Sequence, residues 1–425
     1  MHSILTKNYT HNFNSTQLIN QLMLLCQRVP TACLLVSNDA NAKFDYLLAY
    51  HSQQHITTNT NALATIEQFR PLCQHPIFGH IGYDVKNEIE HLSSNNIDYQ
   101  GFDATHFFEP QLLLEIKNSA IIVSYTNEQL VNEVMSLFFD TNNTLATLPT
   151  TPCNLVATTT KDEYITNVNT IKQHIQQGDI YIANYCITYV SNATTINPYQ
   201  KFITLNAFSK APFSAFYKYD TKYVLCASPE RYLQRTGNKV LSMPIKGTRK
   251  RGNTPAEDLA IAHELKHNAK EQNENVMIVD LVRNDLAQLA LPNSVKVNEL
   301  FEVHTFNAVH QLISTISSEV ASAETPTNSV KTTFPMGSMT GAPKVSAMQL
   351  MENFENFKRG IYSGTIGYIS PNNDFDFNVV IRSVIYNATT HTVSLPVGSA
   401  ITNKCNAIDE YNECLLKAKA LLAVM

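Results

Sequence analysis

The stretch Ser228-Pro-Glu-Arg-Tyr-Leu-Gln-Arg-Thr-Gly-Asn-Lys-Val-Leu-Ser-Met-Pro-Ile-Lys-Gly-Thr-Arg-Lys-Arg-Gly252 leaves its own backbone few options. Two short strand-like runs flank Thr236-Gly-Asn238, a strong turn signal, and together they predict a hairpin. A hairpin returns its two ends to the same place. One end carries Glu230 and the other Lys246, so a carboxylate and an amine sixteen residues apart are set to face one small molecule. Pro244 and Gly247 bracket Lys246. Proline cannot donate to a strand ladder and glycine marks bends, so the backbone holding the amine is expected to be irregular and fixed. A strand-end lysine ordinarily sits in water. What distinguishes this one is the company the rest of the chain supplies.

Residues 1–145 alternate short apolar strands with polar turns and form a first region. Strand-like runs lie at 31–37, 111–117 and 120–125, the last two as a hairpin, and 77–90 runs from a strand or turn into a helix. The Thr-, Asn- and Pro-rich residues 141–155 make a linker. A second region, 156–425, mixes helices and strands. An amphipathic helix over 161–177 stops at Gly178, a strand spans 179–190, and a helix follows at 198–209 with Pro198 in its first turn. Strands follow at 214–219 and 222–227, then the hairpin. The 425 residues can bury a large core as one big or two intertwined domains.

Residues 255–290 form the longest helical stretch, predicted as two helices. Glu271 and Glu274 are three apart there, hence on one face, and Glu410 and Glu413 repeat that spacing in the last helix. Two helices that each offer paired carboxylates suit Mg²⁺, a hard cation with oxygen ligands, and Mg²⁺ in turn implies a substrate carboxylate or phosphate. The Gly337-Ser-Met-Thr-Gly-Ala-Pro-Lys344 loop could present backbone N–H groups to an anion. Arg382 sits in an apolar run, 377–383, predicted as a strand beside 359–368, and a buried arginine wants a carboxylate. Residues 398–402 are predicted as a turn before the last helix.

A net charge of −5 gives no reason to expect nucleic acid or an anionic membrane as partner. No apolar run approaches the roughly 20 residues that span a bilayer. The polar opening Met1-His-Ser-Ile-Leu-Thr has no signal-peptide core. The eight cysteines contain no Cys-x-x-Cys pair and fit reduced thiols in the cytoplasm. His263-Glu-Leu-Lys-His267 matches the zinc-hydrolase signature, with Glu264 as base, but no third ligand stands near it in the sequence.

Seven segments, in this order, resemble the motifs of the chorismate-utilising enzymes. They are Ser228-Pro-Glu-Arg231, Pro244-Ile-Lys-Gly-Thr248, Met277-Ile-Val-Asp-Leu-Val-Arg-Asn-Asp285, Gly337-Ser-Met-Thr-Gly-Ala-Pro-Lys344, Arg359-Gly-Ile-Tyr362, Ile381-Arg-Ser383 and Glu410-Tyr-Asn-Glu413. Phe78-Gly-His-Ile-Gly-Tyr-Asp84 is similar to the family's N-terminal region. The resemblance implies one α/β (α+β) unit of two stacked β-sheets with helices outside and chorismate between them. Carried over by position, Lys246 and Glu230 would be catalytic. Glu274 and Glu413 resemble Mg²⁺ ligands, with Glu271 and Glu410 close by. Arg382 and Tyr362 resemble the clamp on the enolpyruvyl carboxylate. Lys417, Gly398, Ser399 and Ala400 resemble the ring-carboxylate site, where the serine and alanine narrow the backbone approach. Thr248 and Gln311 would also line the substrate. Gln311 stands where many members have histidine and cannot titrate, which shifts acid–base work onto Glu230.

The family divides by nucleophile. Water-using members resemble one another in a lysine whose place here falls to Ile182. Anthranilate synthases have alanine where this chain has Lys246, and lysine there resembles aminodeoxychorismate synthase component I. That resemblance implies two successive displacements. Lys246 attacks C2 as the C4 hydroxyl leaves, then ammonia enters at C4 and expels the lysine. No cysteine lies in a Gly-x-Cys-x-Gly-x-Gln setting, so ammonia from glutamine would need a separate amidotransferase subunit. The alternatives carried forward are anthranilate synthase component I and, remotely, a zinc hydrolase.

Overall fold

The structure is a computed structural model that describes residues 4–39, 42–306 and 309–425. The first three residues of the polar N-terminal opening lie outside it. Among the described residues, twenty strands join one hydrogen-bonded network, and every pairing between them is antiparallel. Two long strands, Tyr46–Thr58 and Thr105–Lys117, pair along their whole length, with a register shift between Ser52 and Gln54. They belong to two sheets at once, as strands do where a bulge bends them from one sheet into another. Their first and last halves respectively carry one sheet, which runs through Thr31–Val36, Phe213–Tyr219, Lys222–Ser228, Ser383–Asn387, Thr392–Thr402 and Ile182–Ser191. Their other halves carry the second, through Ile77–Ile81, Thr365–Ile369, Phe375–Asn378, Arg231–Thr236, Lys239–Met243 and Val309–Glu319. The regions 1–145 and 156–425 thus share strand pairs, Thr31–Val36 with Phe213–Tyr219 being one.

Side chains on a strand alternate between its faces, and that alternation builds two cores. Ala32, Leu34, Tyr185, Ile187 and Leu225 point outward to the helices Ser15–Arg28, Glu128–Phe139, Lys161–Gln177, Pro198–Ser209 and Ala407–Leu422. Their neighbours Cys33, Leu35, Ile182, Cys186 and Val224 point inward and pack with Phe78, Leu233, Val240, Ile316 and Phe377 of the second sheet. The expected stack of two sheets with helices outside is therefore present. The 161–177 helix has its predicted bounds: Thr160 and Glu163 form a capping box, and Gly178 ends it at φ +88°.

Two local expectations are corrected. Residues 377–383 are not one strand. Phe375–Asn378 belongs to the second sheet and Ser383–Asn387 to the first, so the chain crosses between layers at 379–382, with Arg382 at φ +52°. Residues 398–402 are not a turn but the end of the strand Thr392–Thr402, paired with Ile182–Ser191 throughout.

The helix Ala269–Ala287 is tied to the 337–344 loop through a buried ion pair. Lys344 Nζ donates to Asp285 at 2.7 Å and to the Thr333 carbonyl at 3.0 Å. Breaking such a pair leaves a charge without compensation, which costs roughly 3–5 kcal/mol. Asp285→Ala is therefore expected to lower unfolding free energy by about that amount. Denaturant titration checks this, and an unchanged midpoint would refute it.

Candidate active site

Lys246 is not on the hairpin itself. Past Pro244 the chain starts a third short strand, Ile245–Lys250, whose pairing with Val309–Glu319 shifts register between Ile245 and Thr248. Lys246 and Gly247 occupy that bulge, which re-aims side chains. Gly247 has φ +82°, and a Cβ there would lie 2.9 Å from Leu265 Cδ1 and 3.0 Å from Glu271 Oε2. The irregular, fixed backbone expected around Lys246 is thus present. Beneath it, Ser314 N–H donates to the Pro244 carbonyl at 3.2 Å, and Ser314 Oγ donates to Asn275 Oδ1 at 2.6 Å.

The hairpin does bring Glu230 and Lys246 together: Arg231 pairs with Met243, and Lys246 is a charged neighbour of the Glu230 carboxyl. Glu230 is 5% exposed. Burial pushes its carboxyl up to about 7, against the opposing pull of Ser338, Lys246 and the Ile245 amide. A carboxyl raised from 4.5 contributes its full stability below that value and loses it as pH rises through about 7. The displacement corresponds to roughly 3 kcal/mol at 1.36 kcal/mol per unit. Glu230→Gln is accordingly expected to stabilise the protein at pH 8 by up to about 3 kcal/mol, with little change near pH 4. Denaturant melts at both values check this; equal shifts at the two would contradict it.

Glu274 and Glu271 lie on the helix Ala269–Ala287, and Glu410 and Glu413 on Ala407–Leu422. The fold brings Glu274, Glu410 and Glu413 to one place, around Lys270. Lys270 Nζ donates to Glu410 Oε1 at 2.9 Å and lies 3.9 Å from Glu274 Oε1 and 4.0 Å from Glu413 Oε2. Glu413 also pairs with Lys417 at 2.7 Å, and Lys417 donates to the Gly398 carbonyl at 2.8 Å. Glu271 accepts from Arg249 at 3.2 Å. Burial pushes Glu274 up to about 7 and raises Glu410, whereas Lys417 and Lys270 hold Glu413 below its ordinary value in spite of burial. Among the described residues, no three His, Cys, Asp or Glu side chains form a ready-made metal-binding group. In donor chemistry, though, the glutamates are what a hard divalent cation takes. All the donors are carboxylates, a cationic ammonium already lies among three of them, and buried Glu274 Oε1 has no hydrogen-bond partner.

The half-buried Arg382 makes no hydrogen bond or ion pair through its guanidinium among the described residues; the titratable groups near it are Tyr362, Glu413 and Cys414. Tyr362 is buried, which raises its hydroxyl far above its ordinary value. Gly398 and Ala400 alternate with Ser399, whose hydroxyl is committed to Tyr164 at 2.7 Å on the helix side. Thr248 is exposed and pairs with Gln311, whose buried Oε1 has no partner. His310, one place earlier, is bound to Asp258 at 2.8 Å and Thr305 at 2.9 Å. Ile182 is buried on the face between the sheets.

Sequence reasoning missed Arg359 as a hub. Its guanidinium holds Glu355 at 2.5 Å, the Met339 carbonyl at 2.7 Å and the Asn184 carbonyl at 2.8 Å. Lys270 was also missed; its i,i+4 spacing to Glu274 was the available signal. The His263–His267 pair does not develop into a metal site. Both are exposed, and Glu264 is committed to Arg249 at 3.0 Å and Asn268 at 2.8 Å.

Residues 27–423 match the family of chorismate binding enzymes. The chain belongs to that family. It is 32% identical over 350 residues to an anthranilate synthase component I-like protein from Synechocystis, covering 82% of this chain and 72% of that one. It is 36% identical over 273 residues to aminodeoxychorismate synthase component 1 from Bacillus subtilis, covering 64% of this chain and 57% of the relative. The structure of anthranilate synthase component I from Streptococcus pneumoniae superposes with a TM-score of 0.78 at 25% identity, covering 90% and 92% of the two chains.

Proposed function

We propose that this chain is the chorismate-aminating component of an aminodeoxychorismate synthase, forming 4-amino-4-deoxychorismate, the precursor for para-aminobenzoate and folate. The observation that carries this reading is Lys246: a half-buried amine on a bulge, facing a carboxyl poised near neutrality. The aminodeoxychorismate synthase names of several relatives support it, although the alignment spans only 57% of the Bacillus protein. Buried Ile182, where water-using members carry lysine, speaks against water as nucleophile.

In this reading the unpaired Arg382 guanidinium, with Tyr362 beside it, takes the enolpyruvyl carboxylate. Glu274 and Glu413 would hold Mg²⁺, with Glu271 and Glu410 behind them. When bound, the cation supplies positive charge that offsets the ring carboxylate. Lys246 attacks C2 as the neutral amine. The ring double bonds shift, the C4–O bond breaks, and the hydroxyl leaves as water with a proton from Glu230. Ammonia then bonds to C4, the double bonds shift back, and the Lys246 nitrogen leaves C2. The Glu230 carboxylate takes the proton that the new amine sheds. The sum is chorismate plus ammonia giving 4-amino-4-deoxychorismate plus water.

Anthranilate synthesis is the second reading, favoured by the names of the cyanobacterial and pneumococcal relatives. Product identification from chorismate, Mg²⁺ and ammonium separates the two: 4-amination supports the proposal, and a 2-aminated product alone overturns it. A partner amidotransferase supplies ammonia in this account, as "component 1" in the relatives' names suggests. The isolated chain is therefore expected to turn over with ammonium salts and not with glutamine. Glutamine-dependent turnover by the purified chain would refute that. Among the described residues no helix is long and apolar enough to cross a membrane; a cytoplasmic setting suits eight free thiols.

A further inference from the structure

The lysine among the glutamates has a part to play that the amination steps do not use. Lys270 stands at the start of the helix Ala269–Ala287, and its ammonium lies among carboxylates from two helices 140 residues apart in sequence. Glu271 and Glu413 have other cations, Arg249 and Lys417. Glu410, only 1% exposed, pairs with Lys270 alone among the described residues. The arrangement is lopsided: one contact is 2.9 Å and the other two are 3.9 and 4.0 Å. Glu274 Oε1 is left buried without a hydrogen bond.

We propose that Lys270 is the resident counter-ion of this cluster, holding the carboxylates while the divalent cation is away and swinging out to solvent when it binds. The inference rests on the metal reading given above. An ammonium and a divalent ion cannot share the same few carboxylate oxygens, because like charges repel at that range. The lysine side chain is 50% exposed, and its four-carbon stem lets the head reach water without backbone movement. Metal binding is then an exchange of cations, and its observed affinity is reduced by the displacement of Lys270.

The test is direct Mg²⁺ binding by calorimetry, with thermal melts with and without saturating Mg²⁺, on wild type, Lys270→Met and Lys270→Arg. Lys270→Met keeps the apolar stem and loses the charge. It is expected to melt below wild type without metal and level with it when saturated. It should bind Mg²⁺ roughly tenfold more tightly, about the worth of one charge-assisted hydrogen bond. Lys270→Arg, whose fork grips carboxylates better, should bind Mg²⁺ more weakly than wild type. Unchanged or weaker binding by Lys270→Met, or an equal loss of stability with and without metal, would show a static ion pair and overturn the inference while leaving the metal reading intact. Absence of Mg²⁺ binding by all three proteins would overturn both.

Discussion

Lys246→Ala is expected to reduce 4-amination of chorismate by roughly 10⁴-fold or more, the scale on which a removed covalent nucleophile is felt. Lys246→Arg should do the same. Its guanidinium keeps the charge but stays protonated, so it cannot attack carbon. The alternative role for Lys246 is electrostatic, since its charge acts on Glu230, Glu274 and Glu413. A purely electrostatic lysine would tolerate arginine. Near-normal 4-amination by Lys246→Arg would therefore reject the nucleophile. The alanine variant has a further expected signature. It restores the small residue that anthranilate synthases resemble one another in at this place, so ammonia can approach C2 and some 2-aminated product should form.

Chelation is the second large effect. Four glutamates stand against three protein cations, Arg249, Lys270 and Lys417, and a bound divalent cation would offset the remaining negative charge toward a dicarboxylate substrate. Excess EDTA is expected to abolish turnover and added Mg²⁺ to restore it. Glu274→Gln or Glu413→Gln should weaken metal affinity severely; wild-type activity in excess EDTA would rule the site out. The effect should be larger at Glu274, whose Oε1 has no protein hydrogen-bond donor, than at Glu413, which Lys417 already compensates.

What the sequence made legible was local. The Thr236-Gly-Asn238 turn, the proline and glycine around Lys246, and Gly178 at the end of the 161–177 helix each act over a few residues, and each behaves as expected. The strand break at Arg382 was not legible. Residues 379–381 are Val-Val-Ile, which favour strand, and only the need to cross between sheets forces Arg382 to positive φ. Residues 398–402 read as a turn from sequence because glycine and serine usually mark one. Here Gly398 allows close approach instead: a Cβ would lie 2.7 Å from Cys186 Sγ. The strands that pass between the sheets gave no signal either. At their bend, His51 adopts φ +56° without a glycine, and the residues they pair lie 47 (Thr58 with Thr105) to 70 (Tyr46 with Ile116) positions apart. At the site, residue types and helical spacing found the glutamates. Which cation each one meets depends on contacts between distant helices, and periodicity does not carry that information.

The central claim is that Lys246 forms a bond to the chorismate ring. Intact-protein mass spectrometry after incubation with chorismate and Mg²⁺, without ammonia, tests it most directly. The account predicts an added mass equal to chorismate less one water, mapped by peptide analysis to Lys246, absent from Lys246→Ala and discharged by ammonium with release of the 4-amino product. An unmodified protein that still makes that product once ammonium is added would contradict it.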